Sequence, residues 1–301
     1  FDESCLWKTA ECVNRRAEEI LETLPEPYFL YLHYMDPHDF YQAPKTHRTF
    51  AGEYDGHDFI AAGNPNPIGE MLYDDGPKVD VDDGDVQHLV DLYDDEIVYF
   101  DAMFRDFVGG LRASGALDRA VLIVTADHGE EFLEHGHVKH CRGVWNTLTH
   151  VPLLVRLPGG ASPSRVSDPV QLVDLLPTVL DLAGATGDAV SMEGTSLTPL
   201  MEGAEASRSF AFSDQSKYRG VDDGRFHLIL DGLESSVTLY DTHLDPLELD
   251  NLASGGHPRF KPLATALDDW LDETGQRVRF DLALAAAKAQ EEQLRALGYL
   301  E

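Results

Sequence analysis

Asp127 and His128 are the two adjacent side chains of this sequence that are best suited to bind a metal ion together. They directly follow the apolar run at residues 120–125, which has the composition of a buried strand. A carboxylate oxygen and an imidazole nitrogen both bind divalent cations, and Gly129 lets the backbone turn close to the ion. The alternative is an ordinary turn, in which Asp127 caps the next helix and His128 lies at the surface.

The residues that follow favour the metal-binding interpretation. Between positions 127 and 140 the chain carries five basic or metal-binding side chains, although its net charge is −31 and it has only 23 Lys and Arg residues. These five are His128, His135, His137, Lys139 and His140. This loop is therefore predicted to line a functional site. For His135 and His137, a place on the rim of the pocket is as well supported as metal ligation.

The elements that must position these residues read as an open α/β sheet, in which ligands bind beyond the carboxyl ends of the strands. Apolar runs predict buried strands at residues 28–35, 120–125, 151–157 and 170–173. Amphipathic spacing predicts a helix at residues 86–111. Helix-favouring composition before Pro25 predicts one at 8–24, and the end signals Asp174 and Gly184 predict one at 175–183. Short strands at 226–230 and 237–240 follow. The sequence therefore predicts a large α/β domain at residues 1–204 and a small antiparallel subdomain at residues 205–301.

Composition excludes several classes of partner. Acidic residues number 54 against 23 basic ones, so nucleic acid and anionic membrane surfaces are not expected to bind. No apolar run reaches the length of a membrane span. Three cysteines without a CxxC pair predict neither a disulfide framework nor a zinc ribbon. The acidic residues are spread along the whole chain, which favours adaptation to high salt, with the cytoplasm of a salt-adapted organism as the expected location.

Six segments resemble, in the same order, those of the sulfatases of the alkaline-phosphatase-like superfamily. The segment 125–136, Thr-Ala-Asp-His-Gly-Glu-Glu-Phe-Leu-Glu-His-Gly, resembles their second metal-binding motif. The other similar segments are 31–38, 150–159, 173–184, 239–253 and 294–300. The resemblance implies an alkaline-phosphatase-like sandwich, with helices on both faces of a mixed, mostly parallel sheet. It also implies a small carboxyl-terminal antiparallel subdomain, and that the large domain is incomplete at its amino-terminal end.

The resemblance also assigns roles to particular residues. Asp127 and His128 correspond to metal ligands, for Ca²⁺ in the first place, with Mg²⁺, Mn²⁺ or Zn²⁺ as other possible ions. His38 corresponds to the histidine that contacts the sulfate or the leaving oxygen. His140, or Lys139 after a shift of one residue, corresponds to the cation that neutralises the transferred group. The implied reaction is hydrolysis of the sulfate ester of a small molecule or glycan.

The sequence departs from the family where the nucleophile should be. Sulfatases carry Cys or Ser in the motif Cys/Ser-x-Pro-Ser-Arg near the amino terminus, with the Cys oxidised to formylglycine, and two further metal-binding Asp residues. The segment 161–165, Ala-Ser-Pro-Ser-Arg, has Ala at the nucleophile position and reads as a surface turn. The chain is therefore expected to carry only part of the active site and to be inactive alone. Completion would require the missing amino-terminal segment or a companion chain.

Two other functions are open at this point. The same fold could serve a phosphodiesterase or a phosphoglycol transferase, because an Asp-His metal pair suits phosphate chemistry equally well. The chain could also be a non-catalytic protein or one subunit of a split enzyme. The organic part of the substrate is not encoded in any interpretable pattern.

Overall fold

The computed structural model describes residues 9–38, 40–56, 81–140, 142–160, 163–185, 192–234, 236–253 and 256–275. The chain divides into two compact units. The first unit comprises Phe1–Val124, Gly136–Val138 and Leu154–Ala161, and the second comprises Thr125–His135, Lys139–Leu153 and Ser162–Glu301. The boundaries of these units differ from the predicted division into residues 1–204 and 205–301, which stays a prediction.

The first unit is built on two helices, α1 (Ala10–Leu21) and α2 (Asp83–Ala113), and both confirm the helices predicted from the sequence. A small apolar core surrounds Tyr99 of α2. Asn14 ties the two helices together, because its side-chain amide donates to the Met103 carbonyl at 2.8 Å and its oxygen accepts from Tyr34 Oη at 2.8 Å. The amide nitrogen and the oxygen of the Asn14 side chain thus both have hydrogen-bond partners.

Helix α2 has chemically defined ends. The Asp82 carboxylate accepts from the backbone N–H groups of Gly84 and Asp85, and the Asp85 carboxylate accepts from the Asp82 N–H in return. This capping box satisfies N–H groups that lack a partner in the helix. At the other end Gly115 adopts a left-handed conformation with φ of 72°, which ends the helix where the sequence predicts.

Two of the four predicted strands of the α/β sheet are present. Strand β1 (Leu122–Thr125) pairs with β4 (Leu153–Arg156). Residues 28–35 are not a strand, and Phe29 and Tyr31 are 73% and 71% exposed. Residues 170–173 are not a strand either; a 3₁₀ turn covers Leu172–Asp174 instead. The apolar composition was read correctly, but a strand also needs a hydrogen-bonded neighbour, and residues 28–35 have none among the described residues.

The second unit contains short elements followed by an antiparallel sheet. The short elements are β2 (Glu131–Phe132), β3 (Val138–Lys139), α3 (Asn146–Thr149), α4 (Leu175–Leu182) and α5 (Thr198–Met201). The sheet consists of β5 (Ala211–Gln215), β6 (Tyr218–Asp222), β7 (Phe226–Asp231) and β8 (Ser236–Asp241), in that spatial order. Helix α6 (Phe260–Glu273) follows the sheet.

The core of the second unit lies between this sheet and α6. Alternate residues of β7 and β8, among them Leu228, Leu230 and Leu239, pack with Leu263 and Leu267 of the helix. The opposite face of the sheet carries a second cluster that includes Ile229 and Tyr240. The predicted strands at 226–230 and 237–240 are therefore confirmed, and both faces of the sheet are used.

Within the described part of the chain, no helix combines the length and apolar character that a membrane crossing requires.

Cys12 of α1 is disulfide-bonded, which was not predicted from the sequence. Its partner lies outside the described residues.

Asp95 of α2 offers a test of the first unit. Its carboxylate accepts from the backbone N–H groups of Thr49, Phe50 and Ala51 at 2.6–3.1 Å. We expect Asp95→Ala to lower the free energy of unfolding by about 2 kcal/mol, because three bonds to a charged acceptor are lost. The control Asp101→Ala, an exposed position on the same helix, should change it by no more than about 0.5 kcal/mol. Equal values for the two variants in urea denaturation would contradict this role.

Candidate active site

The turn that carries Asp127 and His128 is held against the backbone of α3. The N–H of Gly129 donates to the carbonyl of Leu148 at 2.8 Å. A Cβ atom at position 129 would lie 2.0 Å from the carbonyl oxygen of Thr147, so a side chain cannot fit there. The glycine is needed because two stretches of backbone approach each other this closely.

Asp127 and His128 present two ligand atoms on the same side of the turn. Asp127 Oδ1 lies 3.7 Å from His128 Nε2 and also accepts from the His128 backbone N–H at 3.1 Å. The His128 Nδ1 donates to the Gly129 carbonyl at 2.8 Å, which places the ring lone pair on Nε2. Two ligands at right angles around Ca²⁺ lie about 3.4 Å apart. The separation of the two atoms therefore suits one shared divalent cation, to which Asp127 would supply an oxygen and His128 a nitrogen.

His140 lies directly beside this pair. Its ring stacks on the ring of His128 with centroids 3.8 Å apart and an interplanar angle of 24°. The Nδ1 of His140 lies 3.1 Å from Glu130 Oε1, which orients the ring. Lys139, the alternative that a one-residue shift allows, is buried and has a left-handed backbone with φ of 69°. The structure thus brings His140 next to the candidate metal ligands.

The pair Asp127 and His128 is a partial ligand set. Within the described residues, no group of three or more His, Cys, Asp or Glu side chains is arranged to hold a metal ion. A divalent cation takes at least four ligands. These two residues alone therefore supply at most half of a coordination shell.

His135 is directed into the protein. Its Nδ1 is paired with Glu131 Oε1, and its Nε2 lies 3.3 Å from the carbonyl oxygen of Glu248. Its ring stacks on Trp145, with centroids 4.2 Å apart and an angle of 7°. Because both ring nitrogens are bonded to protein oxygens, neither points to the metal pair. His137 is half-buried and directly precedes β3.

His38 belongs to the first unit. It is half-buried in a short turn, where its backbone N–H donates to the Met35 carbonyl at 2.6 Å.

Two carboxyl groups of the first unit share a buried environment. Burial and the negative charge of Asp36 raise the pKa of Glu96 to about 7. Burial also raises the pKa of Asp36 itself.

Sequence reasoning missed three buried charged residues near the metal turn. Glu131, His227 and Glu248 are each no more than 3% exposed, and each bonds to another polar group. The only sequence signal was the position of Glu131 four residues before His135. Nothing in the sequence links Glu248 or His227 to this loop, because the bonds span up to 113 residues.

The fold can now be compared with known structures. The chain aligns with the phosphonate monoester hydrolase SpPMH from Silicibacter pomeroyi at a TM-score of 0.67 and 23% identity, covering 89% of this chain and 61% of that one. The fold is therefore of the alkaline-phosphatase-like class, with a carboxyl-terminal antiparallel sheet, as predicted. Identity this low shows the fold alone.

Sequence comparison then defines the family. The sulfatase family profile matches residues 6–185, and that of the N-sulphoglucosamine sulphohydrolase carboxyl-terminal family matches residues 133–277. The chain belongs to the sulfatase family.

The curated relatives are longer than the chain. Arylsulfatase K of Danio rerio is 34% identical over 170 residues, covering 51% of this chain and 32% of the relative. The choline-sulfatase of Rhizobium meliloti (strain 1021) is 26% identical over 287 residues, covering 88% of this chain and 54% of the relative. The matches thus span about half of these relatives' length or less.

Gly129→Ala tests the close approach of the metal turn to α3. We expect the Cβ atom to displace the Thr147 carbonyl and to lower the free energy of unfolding by about 1–3 kcal/mol. Gly109→Ala is the matched control, because nothing lies within 4 Å of its Cβ atom and it sits inside α2. The control should stabilise the protein by up to about 1 kcal/mol. Stabilisation by both substitutions in urea titrations would rule out the close approach.

The stacking of Trp145 on His135 provides a fluorescence signal for the protonation of His135. Burial disfavours the charged ring, but the Glu131 carboxylate outweighs it and raises the pKa of His135 above its ordinary value. The ion pair therefore stabilises the fold fully below about pH 6.5, and that contribution is lost as pH rises through the raised pKa.

Protonated imidazole quenches indole fluorescence, so Trp145 emission should rise as pH increases through this pKa. The signal is the difference between the parent protein and Trp145→Phe. Glu131→Gln removes the carboxylate charge and should move the midpoint to lower pH. An emission change with an unshifted midpoint in Glu131→Gln would refute the assignment.

Proposed function

We propose that this chain carries part of the active site of a sulfuric ester hydrolase, including two of its metal ligands. The observation that carries the proposal is the Asp127–His128 pair, with ligand atoms 3.7 Å apart and His140 stacked beside it, in a chain of the sulfatase family. Support for sulfate as the transferred group comes from the relatives, which are named arylsulfatase K and choline-sulfatase.

Each residue has a role that its surroundings support. Asp127 and His128 would hold a divalent cation, Ca²⁺ in the first place, which supplies positive charge to the ester oxygens. His140, oriented by Glu130, would supply a second positive group to the transferred sulfate. His38 would contact the leaving oxygen and donate a proton to it, a role that rests on its match to the family motif.

The nucleophile of this reaction comes, in our proposal, from outside the sequence. No Cys/Ser-x-Pro-Ser-Arg motif is present in the 301 residues, and the relatives named above extend well beyond the matched region. A segment or companion chain with that motif would provide the formylglycine and the remaining metal ligands. The partial ligand set at Asp127 and His128 is consistent with completion in this way.

The proposal is tested on the native protein purified from its source. An intact mass well above 33.4 kDa, with a peptide that contains Cys/Ser-x-Pro-Ser-Arg or its formylglycine form, would support it. The protein should hydrolyse 4-nitrophenyl sulfate faster than 4-nitrophenyl phosphate or a phenylphosphonate ester. The reverse preference would favour the phosphate or phosphonate chemistry of the same fold. A mass that matches this chain, without a companion polypeptide or activity, would leave a non-catalytic member of the family.

The candidate ligands give the sharpest test within the active protein. We expect Asp127→Asn and His128→Ala each to reduce kcat/KM for the sulfate ester by about 10²-fold or more, because each removes a group that holds charge at the reacting centre. Chelation with EDTA should have a similar effect that added Ca²⁺ reverses. The control His243→Ala changes an exposed histidine of the same unit and should leave the rate unchanged. Full activity in either ligand variant would remove that residue from the site.

A further inference from the structure

The metal turn is connected to the antiparallel sheet through helix α3. Gly129 of the turn donates to Leu148 in α3, as described above. The first N–H of this helix, that of Asn146, donates to Glu248 Oε2 at 2.6 Å. The Asn146 side-chain amide also donates to the carbonyl of Pro246, at 3.1 Å. A single turn of helix is thus bonded to the metal turn at one end and to the loop after β8 at the other.

Glu248 is held in place by a second buried charge. Its Oε1 lies 2.7 Å from Nδ1 of His227, which is in the middle of the sheet on β7. The two side chains are 3% exposed or less. A buried carboxylate with one oxygen on a histidine and the other on a backbone N–H has little freedom to rotate. The position of His227 on β7 therefore restricts the position of the Glu248 carboxylate, which binds the first N–H of α3.

The backbone of Glu248 adopts a conformation that contacts with its surroundings must stabilise. Its φ is 57°, in the left-handed region, which a glutamate adopts rarely. Such a conformation persists where the surrounding contacts determine it. At this position it directs the carboxylate to Asn146 while the carbonyl oxygen lies 3.3 Å from His135 Nε2.

A parallel connection leads back to the metal loop. His135 also pairs with Glu131, and the same Glu131 oxygen accepts from Thr147 Oγ1 of α3 at 3.2 Å. Glu248 is therefore connected to the segment that carries Asp127, His128 and Glu131 by two series of contacts, one through α3 and one through His135. Both series lie within the second unit.

We propose that Glu248 is a positioning residue for the Asp127–His128 turn, that it acts through α3, and that His227 fixes its carboxylate. The antiparallel sheet then has a task at the active site although it supplies no ligand there. The consequence for metal binding and turnover rests on the function proposed above, whereas the effect on the turn itself does not.

The charges around His227 agree with this role. Burial disfavours a charged ring, but the Glu248 carboxylate outweighs it, so the pKa of His227 is raised. The other titratable groups that face it are Asp222 on β6 and Tyr240 on β8, its register partners in the sheet. The negative charges of Glu248 and Asp222 both favour the protonated form of His227.

Hydrogen–deuterium exchange of the whole chain tests the positioning directly. Glu248→Gly removes the carboxylate and suits the positive φ, so this variant is expected to fold. Peptides that cover residues 126–133 and 144–150 should exchange about tenfold faster than in the parent protein, while peptides of β5–β8 stay protected. Glu248→Gln keeps an oxygen acceptor for Asn146 and should restore part of the protection. The control Asp250→Gly, an exposed acidic position of the same loop, should leave all peptides unchanged.

Two outcomes would overturn the proposal. One is unchanged exchange of the turn and α3 peptides in Glu248→Gly. The other is faster exchange of the sheet and the turn to the same extent, which would reduce Glu248 to a general stabilising residue. In the native protein, Glu248→Gly should also weaken the apparent Ca²⁺ affinity by about tenfold, with partial recovery in Glu248→Gln. Loss of protection in a protein without sulfatase activity would leave the positioning role standing and reject the proposed function.

Discussion

The close backbone contact between Gly129 and α3 is the constraint on which the candidate site depends. A glycine at this position lets the metal turn bond to the Leu148 carbonyl, with no room for a side chain next to Thr147. This contact determines the path of the chain directly after Asp127 and His128, and therefore the direction in which their ligand atoms point. Because α3 is a single helical turn, it cannot hold its own position. The surrounding polar contacts have to hold it.

Those contacts solve a second problem, the burial of negative charge in a chain with net charge −31 and few Lys or Arg residues. A buried carboxylate is stable only with a partner. Asp174 pairs with Arg208, but Glu131 and Glu248 pair with His135 and His227. Histidine is here the partner of a buried carboxylate, and the raised pKa of both rings favours their protonated form. The concentration of histidines between positions 127 and 140 therefore has two causes, since His128 and His140 belong to the candidate site and His135 neutralises a buried glutamate.

The separation of interacting residues along the chain explains what the sequence could and could not predict. The Asp127–His128 pair was found because its chemistry and its position after a strand are local features. The helices α1 and α2 were found because helix-favouring composition and amphipathic spacing are also local. Strands at 28–35 and 170–173 were wrong because apolar composition says nothing about a pairing neighbour. Glu248 was missed for the same reason, since its partners lie 21 and 102 residues away along the chain.

The distribution of ligands follows from these constraints. Two ligands bind a divalent cation weakly, so what this chain can contribute to affinity is the fixed geometry of the pair and not their number. Rigid placement matters most in such a case, because each ligand that must be ordered upon binding reduces the affinity. The buried pairs Glu248–His227 and Glu131–His135 are consistent with this requirement, since they stiffen the loop from both sides without entering the site. In our proposal, the antiparallel sheet provides no candidate ligand but contributes to metal binding by positioning the turn that provides two.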